Sequence, residues 1–222
     1  MEAYLDNSAT TPLCKTAKEK MVDSIENIWG NPSSLHEKGI EADLLLKQAR
    51  MCLAQNLSCT EKEVFFTSGG TEGNNLAVFG AAHAHKRKGS RVITSAVEHP
   101  SVQKAFDRLE AEGFEVIRIP TDKKGFIDLS ELESAVNDKT ILISIMAVNN
   151  EVGTIQPIQE ISKIVKLKGA PALIHVDAVQ AFGKLPLAPK KWGIDLMSVS
   201  SHKIHGPKGV GLLYVGDKVK IV

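Results

Sequence analysis

Residues 198–211 read SVSSHKIHGPKGVG, and the fold turns on how this stretch joins its neighbours. It closes the apolar, β-branched run 195–199 (DLMSV). It ends where the next such run, 210–215 (VGLLYV), begins. Little more than the tight turn His205 to Gly209 lies between them. A parallel crossover needs a dozen or more residues, so the last strand must enter the sheet antiparallel. The stretch also places Lys203, between His202 and His205, at the end of a strand that reads as buried.

Working outward, five more runs of strand character lie at 63–67, 91–95, 115–119, 141–148 and 172–176. Most are unbroken apolar runs, as in a sheet covered on both faces. Helical patterns separate them. Residues 44–57 put Leu45, Ala49, Cys52, Leu53 and Leu57 on one face, 158–168 is amphipathic, and Ser130 to Glu133 reads as a capping box opening a helix. The pattern predicts an α/β fold: a mostly parallel seven-stranded sheet, helices on both faces and one antiparallel strand.

The chain has 222 residues, 43% hydrophobic and 24% charged, with a formal net charge of +1. That suits one large soluble domain, or one and a half, and suggests neither a nucleic-acid nor a membrane partner. The basic run His85 to Lys88 reads as a helix end, where cations suit the dipole. No secretory signal or membrane-length apolar run is present, and three cysteines without a CxxC argue against a disulfide framework or zinc site. The expected compartment is the cytoplasm.

Ligands in open α/β sheets bind beyond the carboxyl ends of the strands. Five of the predicted strands end in reactive or hydrogen-bonding groups: Ser68 to Asn75 (SGGTEGNN), Glu98 and His99, Asn149 to Glu151, Asp177 to Gln180, and Ser200 to Lys203. SGGTEGNN opens a helix and can cradle a phosphate, though a plain Gly-rich turn reads equally well. Asp177 is a buried-strand carboxylate or a helix N-cap. His99 could be a helix-start residue, and Asn149 and Asn150 turn formers. His175 reads as packing, Cys52 as core, and His83 and His85 as an exposed helix end. Lys203 is the least ordinary: a desolvated amine is the nucleophile a Schiff base needs. Together with a phosphate cradle, an acid and a histidine, it matches the needs of pyridoxal phosphate.

Residues 4–12 (YLDNSATTP), 30–34 (GNPSS), 67–75 (TSGGTEGNN), 98–99 (EH), 148–153 (VNNEVG), 175–180 (HVDAVQ) and 200–209 (SSHKIHGPKG) together resemble the NifS/IscS-like cysteine desulfurases. These are pyridoxal-phosphate enzymes of fold type I in the class V aminotransferase family. The resemblance runs through the whole chain. It implies that Lys203 binds the cofactor's aldehyde and that Asp177 pairs with the pyridine nitrogen. It makes His99 the group that stacks on the ring and serves as acid or base. Gly70, Thr71, Ser200 and His202 would hold the phosphate, and Gln180 the ring oxygen. Asn150 would lie against both substrate and ring oxygen, and Asn7 would face the substrate.

The implied reaction converts L-cysteine to L-alanine, with sulfur passed through an enzyme persulfide to an acceptor or scaffold protein for iron–sulfur or thio-cofactor synthesis. The implied oligomer is a homodimer. Residues 1–15 are expected to form an N-terminal arm and 16–222 the cofactor-binding large domain, with the C-terminal small domain missing. The family's nucleophilic cysteine loop, substrate-carboxylate arginine and cross-subunit phosphate residue fall in that missing part. The chain alone is therefore expected to be inactive in desulfuration. The alternatives are a selenocysteine lyase or other class V enzyme, and a non-catalytic pyridoxal-phosphate-binding fragment. A nucleotide-binding protein built on SGGTEG would leave Lys203 and Asp177 unexplained.

Overall fold

The strand that closes the opening stretch does run antiparallel, and to both of its neighbours. The computed structural model describes residues 3–222; Met1 and Glu2 of the expected arm lie outside the described residues. In chain order the elements are α1 (Lys15–Asn27), α2 (Glu37–Leu57), β1 (Val64–Thr67), α3 (Gly70–His85), β2 (Arg91–Ser95), α4 (Pro100–Ala111) and β3 (Glu115–Ile119). Then come α5 (Leu129–Ala135), β4 (Thr140–Met146), α6 (Ile158–Lys168), β5 (Leu173–Asp177), α7 (Pro189–Trp192), β6 (Leu196–Ser200) and β7 (Gly211–Val215). The seven strands form one sheet in the order β1-β7-β6-β5-β4-β2-β3. β7 pairs antiparallel with β6 and β1, and every other pair is parallel. The carboxyl ends of β1, β2, β4, β5 and β6 therefore share one edge.

Alternate residues of each strand feed two cores. Ile93, Ile143, Ile174, Val176 and Met197 pack with Leu57 of α2, Leu132 of α5 and Ile161 of α6. Val92, Leu142, Leu196 and Leu213 pack with Val78 of α3 and Phe106 of α4. This is the double burial that the unbroken apolar runs predict. It fails at the edge, where Phe65 and Phe66 of β1 are 50% and 36% exposed. An edge strand has a neighbour on one side only.

Five local readings change. α5 is capped by Asp128, whose Oδ1 accepts the N–H of Ser130 and Glu131, not by Ser130. α2 begins at Glu37, well before residue 44, and Cys52 is exposed rather than core: the buried face runs through Ala42, Ala54 and Leu57. His85 is buried, not exposed. β6 ends at Ser200, so Lys203 sits in the 3-10 turn Ser201–Lys203 and is half-buried rather than buried.

The glycines of the opening stretch gain a reason. A Cβ on Gly211 would lie 2.5 Å from the Val199 carbonyl oxygen and 2.7 Å from Gly69 Cα. Only glycine lets β7 start beside the loop that opens α3.

The N-terminal arm is laced to the same turn. Thr11 N–H and Oγ1 both donate to the His202 carbonyl at 2.8 Å, and Thr11 Oγ1 accepts the His205 N–H at 2.7 Å. The Cys14 N–H donates to the His205 carbonyl at 3.0 Å. His205, at the start of the tight turn and with a positive φ of 61°, thus anchors the arm. Thr11 is buried, so Thr11→Val strands the His205 N–H in an almost isosteric site. The expected cost is about 1–3 kcal/mol, read as a lower thermal midpoint and faster proteolysis of residues 3–14. An unchanged midpoint and cleavage rate would refute the anchor.

Candidate active site

The shared strand edge opens into a cleft of about 250 Å³. Nine of the ten residues singled out from sequence line it: Gly70, Thr71, His99, Asn150, Asp177, Gln180, Ser200, His202 and Lys203. Asn7 does not. It is exposed, in a turn of the arm, while the arm's Ala9 reaches the lining.

Asp177 forms the floor at the end of β5 and is 5% exposed. Its Oδ1 accepts the Val179 N–H at 3.0 Å and its Oδ2 accepts Asn74 Nδ2 at 2.7 Å. Residues 179–184 form a turn rather than a helix, so Asp177 is not a helix cap. Burial pushes its pKa up, against the pull of those two N–H donors and of the positive charges on His99 and Lys203. A group that must stay ionised there needs a cationic partner from the cleft side.

Asn74 carries more than Asp177. Its Nδ2 also donates to Ser101 Oγ at 2.8 Å, and Ser101 Oγ stands 2.8 Å from His99 Nδ1. The Ser101 N–H also points at that Nδ1, at 3.2 Å. Nδ1 is therefore the acceptor, and a neutral His99 ring holds its proton on Nε2. Asp177, Asn74, Ser101 and His99 form one connected chain from the floor to the mouth. His99 is at once the N-cap of α4 and part of the cleft lining.

Lys203 donates to the carbonyl of Ala9 at 2.9 Å and to that of Ser8. Gln180 Nε2 reaches the same Ser8 carbonyl at 2.8 Å, and His202 Nδ1 stands 3.1 Å from Thr10 Oγ1. The arm therefore lies over the amine. Burial, then the nearby Lys184, lowers the Lys203 pKa, with Asp177 and Asp6 opposing. Less of the amine is protonated at neutral pH than for an exposed lysine.

α3 starts at the cleft, so the free N–H groups of its first turn face the space beside Ser200 and His202. A Cβ on Gly70 would come within 2.6 Å of Val179 Cγ2, which keeps this helix start close to the Asp177 turn. His175, behind the cleft, is fully buried between Ser144 Oγ (2.7 Å) and Ser198 Oγ (3.0 Å), and burial drives its pKa to about 3. It is a neutral packing residue, as the sequence suggests. Asn149 is a turn former, its Oδ1 accepting the N–H of Glu151 and Val152. Asn150, beside it, lines the cleft.

The donor set fits pyridoxal phosphate: an amine for the aldehyde, a buried acid for the ring nitrogen and a helix start for the phosphate, in one cleft. Among the described residues no arginine and no cysteine lines it. Arg91, Arg108 and Arg118 are paired with acids elsewhere, and Arg50 lies over the Phe66 ring. No group of side chains suited to a metal ion occurs among the described residues, nor a helix long and apolar enough to cross a membrane.

Residues 3–221 match the aminotransferase class-V family. The chain belongs to that family. It is 47% identical over 220 residues to a Dictyoglomus turgidum protein named cysteine desulfurase IscS, covering 99% of this chain and 55% of that protein. It is 48% identical over 218 residues to a Methanosarcina thermophila protein of the same name, covering 98% of this chain and 54% of that one. Among solved structures a NifS-like protein superposes with a TM-score of 0.97 at 42% identity, over all of this chain and 60% of that one. SspA in complex with cysteine gives 0.93 at 37% identity, over all of this chain and 64% of that one. The chain thus spans about half the length of the curated relatives it matches. Class V members are pyridoxal-phosphate enzymes.

Proposed function

We propose that this chain is the pyridoxal-phosphate-binding part of a cysteine desulfurase, acting on L-cysteine. The observation that carries the reading is the convergence of Lys203, Asp177, His99 and the α3 start on one cleft. The likeness to proteins named cysteine desulfurase, and to a structure solved with cysteine, narrows the substrate. In the bound state the cofactor supplies an electron sink for charge developing on the substrate's α-carbon.

Each of the chain's own residues would then have a task. Lys203 holds the aldehyde, and the α3 start with Thr71, Ser200 and His202 holds the phosphate. Asp177 keeps the ring nitrogen protonated, because a buried carboxylate with two N–H donors remains an anion once a cation meets it. Gln180 and Asn150 orient the ring oxygen. His99, its Nδ1 tied to Ser101, stacks at the mouth and offers or takes a proton at Nε2. Residues 16–222 would form the large domain, and the arm would close over the amine, with Asn7 toward the substrate. The thiol that takes the sulfur and the cation that holds the substrate carboxylate would come from outside the described cleft. A homodimer and a sulfur-accepting protein complete the proposal.

The test is to mix the purified chain with pyridoxal phosphate, follow the visible absorbance, reduce with borohydride and map the label. One equivalent on a cleft lysine is expected. Labelling scattered over surface lysines, with no saturable band, would sink the reading.

A further inference from the structure

One buried acid next to the cleft has no part in the proposed cofactor site. Glu98 precedes His99, is 3% exposed, and turns its carboxyl inward. Its Oε1 accepts Ser95 Oγ at 2.5 Å and the Met146 N–H at 3.0 Å. Its Oε2 is buried without any hydrogen-bond partner. Met146 is the strand partner of Asp177, and the Ala147 N–H donates to the Asp177 carbonyl at 2.8 Å. The Glu98 carboxyl therefore sits one strand away from the floor carboxylate.

We propose that Glu98 is a positioning residue: as a neutral acid it ties the His99 loop to the end of β4 and leaves Asp177 as the only negative charge beneath the cleft. The hydrogen bonds divide the two roles. Asp177 receives an N–H on each oxygen, the pattern of an anion. Glu98 receives both donors on one oxygen, the pattern of a carbonyl, and its bare oxygen suits an O–H far better than half of an ion. A charge on Asp177 opposes a second one on Glu98, and the carboxyl with a donor on each oxygen is the better one to carry it. Desolvation, helped by Asp177, raises the Glu98 pKa to about 8, against the donors Ser95 and Met146. The titratable groups facing Glu98 and Asp177 are His99 and Lys203. The brace spans two cleft residues, since its loop carries His99 and its far end fixes Met146. Only the catalytic value of that brace rests on the proposed function; the protonation state can be measured without cofactor.

The folded pKa lies above the unfolded one, so between about pH 4.5 and 8 the folded chain binds more protons than the unfolded chain. The stability Glu98 contributes is complete below that window and is lost as pH rises through it. The test compares wild type with Glu98→Gln, cofactor-free, by thermal melting from pH 5 to 9. Burial of Asp177 tilts both chains alike, so the difference between them isolates Glu98. Wild type is expected to lose roughly 5 °C more than Glu98→Gln across the range. Equal slopes overturn the proposal. If the variant does not fold, infrared spectra of the wild type decide: a protonated carboxylic C=O band at pH 7 that fades toward pH 9 supports the assignment, and its absence at pH 7 overturns it. With cofactor bound, Glu98→Ala should shift the pH profile of the visible band while Glu98→Gln restores it. Failure of all cofactor binding would count against the proposed function, and failure of the melting comparison against Glu98.

Discussion

Lys203→Ala, mixed with pyridoxal phosphate and reduced with borohydride, gives no labelled cleft peptide, against about one label per chain for the wild type. The expectation rests on the contents of the cleft. Among the described residues Lys203 is the only lysine in its lining, and no histidine or hydroxyl makes a stable, reducible bond to an aldehyde. Burial and Lys184 lower its pKa, which makes it a readier nucleophile than an exposed lysine. Lys184 is the informative control. It contacts Gln180 Oε1 at 3.4 Å but lies outside the lining. Lys184→Ala should keep the label and raise the pH at which it forms, because one of the positive charges depressing the Lys203 pKa has gone. Lys203→Arg keeps the charge that meets the arm carbonyls and still loses the label, which separates the amine's chemistry from its electrostatics. A saturable label surviving in Lys203→Ala would remove the lysine from its assigned role and the Schiff-base reading with it.

Much of this was visible in the chain for physical reasons. Strands buried on both faces are mostly apolar, so β4, β5 and β6 stand out as largely unbroken runs, and the polar residues just beyond each of them fall at one edge. The antiparallel β7 is legible because the turn before it is too short for a crossover. Other features leave little trace. Asn74 lies one helical turn beyond Gly70, on the face toward the cleft, yet in sequence it is one more polar residue of a Gly-rich opening. The i, i+4 spacing was the available signal. Ser101 and Glu98 work through partners on other elements, and pairings across 27 and 48 residues cannot be read from local pattern. The arm's grip on Lys203 uses backbone carbonyls of Ser8 and Ala9, which no side-chain motif encodes. His205 meets Thr11 and Pro12 across 194 and 193 residues, a pairing no local pattern announces.

Asp177→Asn should weaken cofactor binding about a hundredfold while moving the cofactor-free melting midpoint by no more than roughly 3 °C at pH 8. The two effects separate because the carboxylate serves the empty and the filled cleft differently. In the empty cleft a buried anion is a burden: its raised pKa means the folded state resists ionisation, and stability falls as pH rises above the ordinary aspartate range. Asparagine removes that burden. It also accepts only one of the two N–H groups, from Asn74 or Val179, that Asp177 accepts together, and the stranded donor costs about 1–3 kcal/mol. The two changes oppose each other. In the filled cleft nothing opposes the loss, because a protonated ring nitrogen meets an amide instead of an anion. Breaking such a buried pair costs about 3–5 kcal/mol, of which a hundredfold in affinity is a conservative share. Visible-absorbance titration and melting curves on the same preparations test the pair of outcomes. A variant that melts far lower yet binds the cofactor unchanged would make Asp177 a turn-stabilising residue. The charge under the cleft would then have to come from the other buried acid, Glu98.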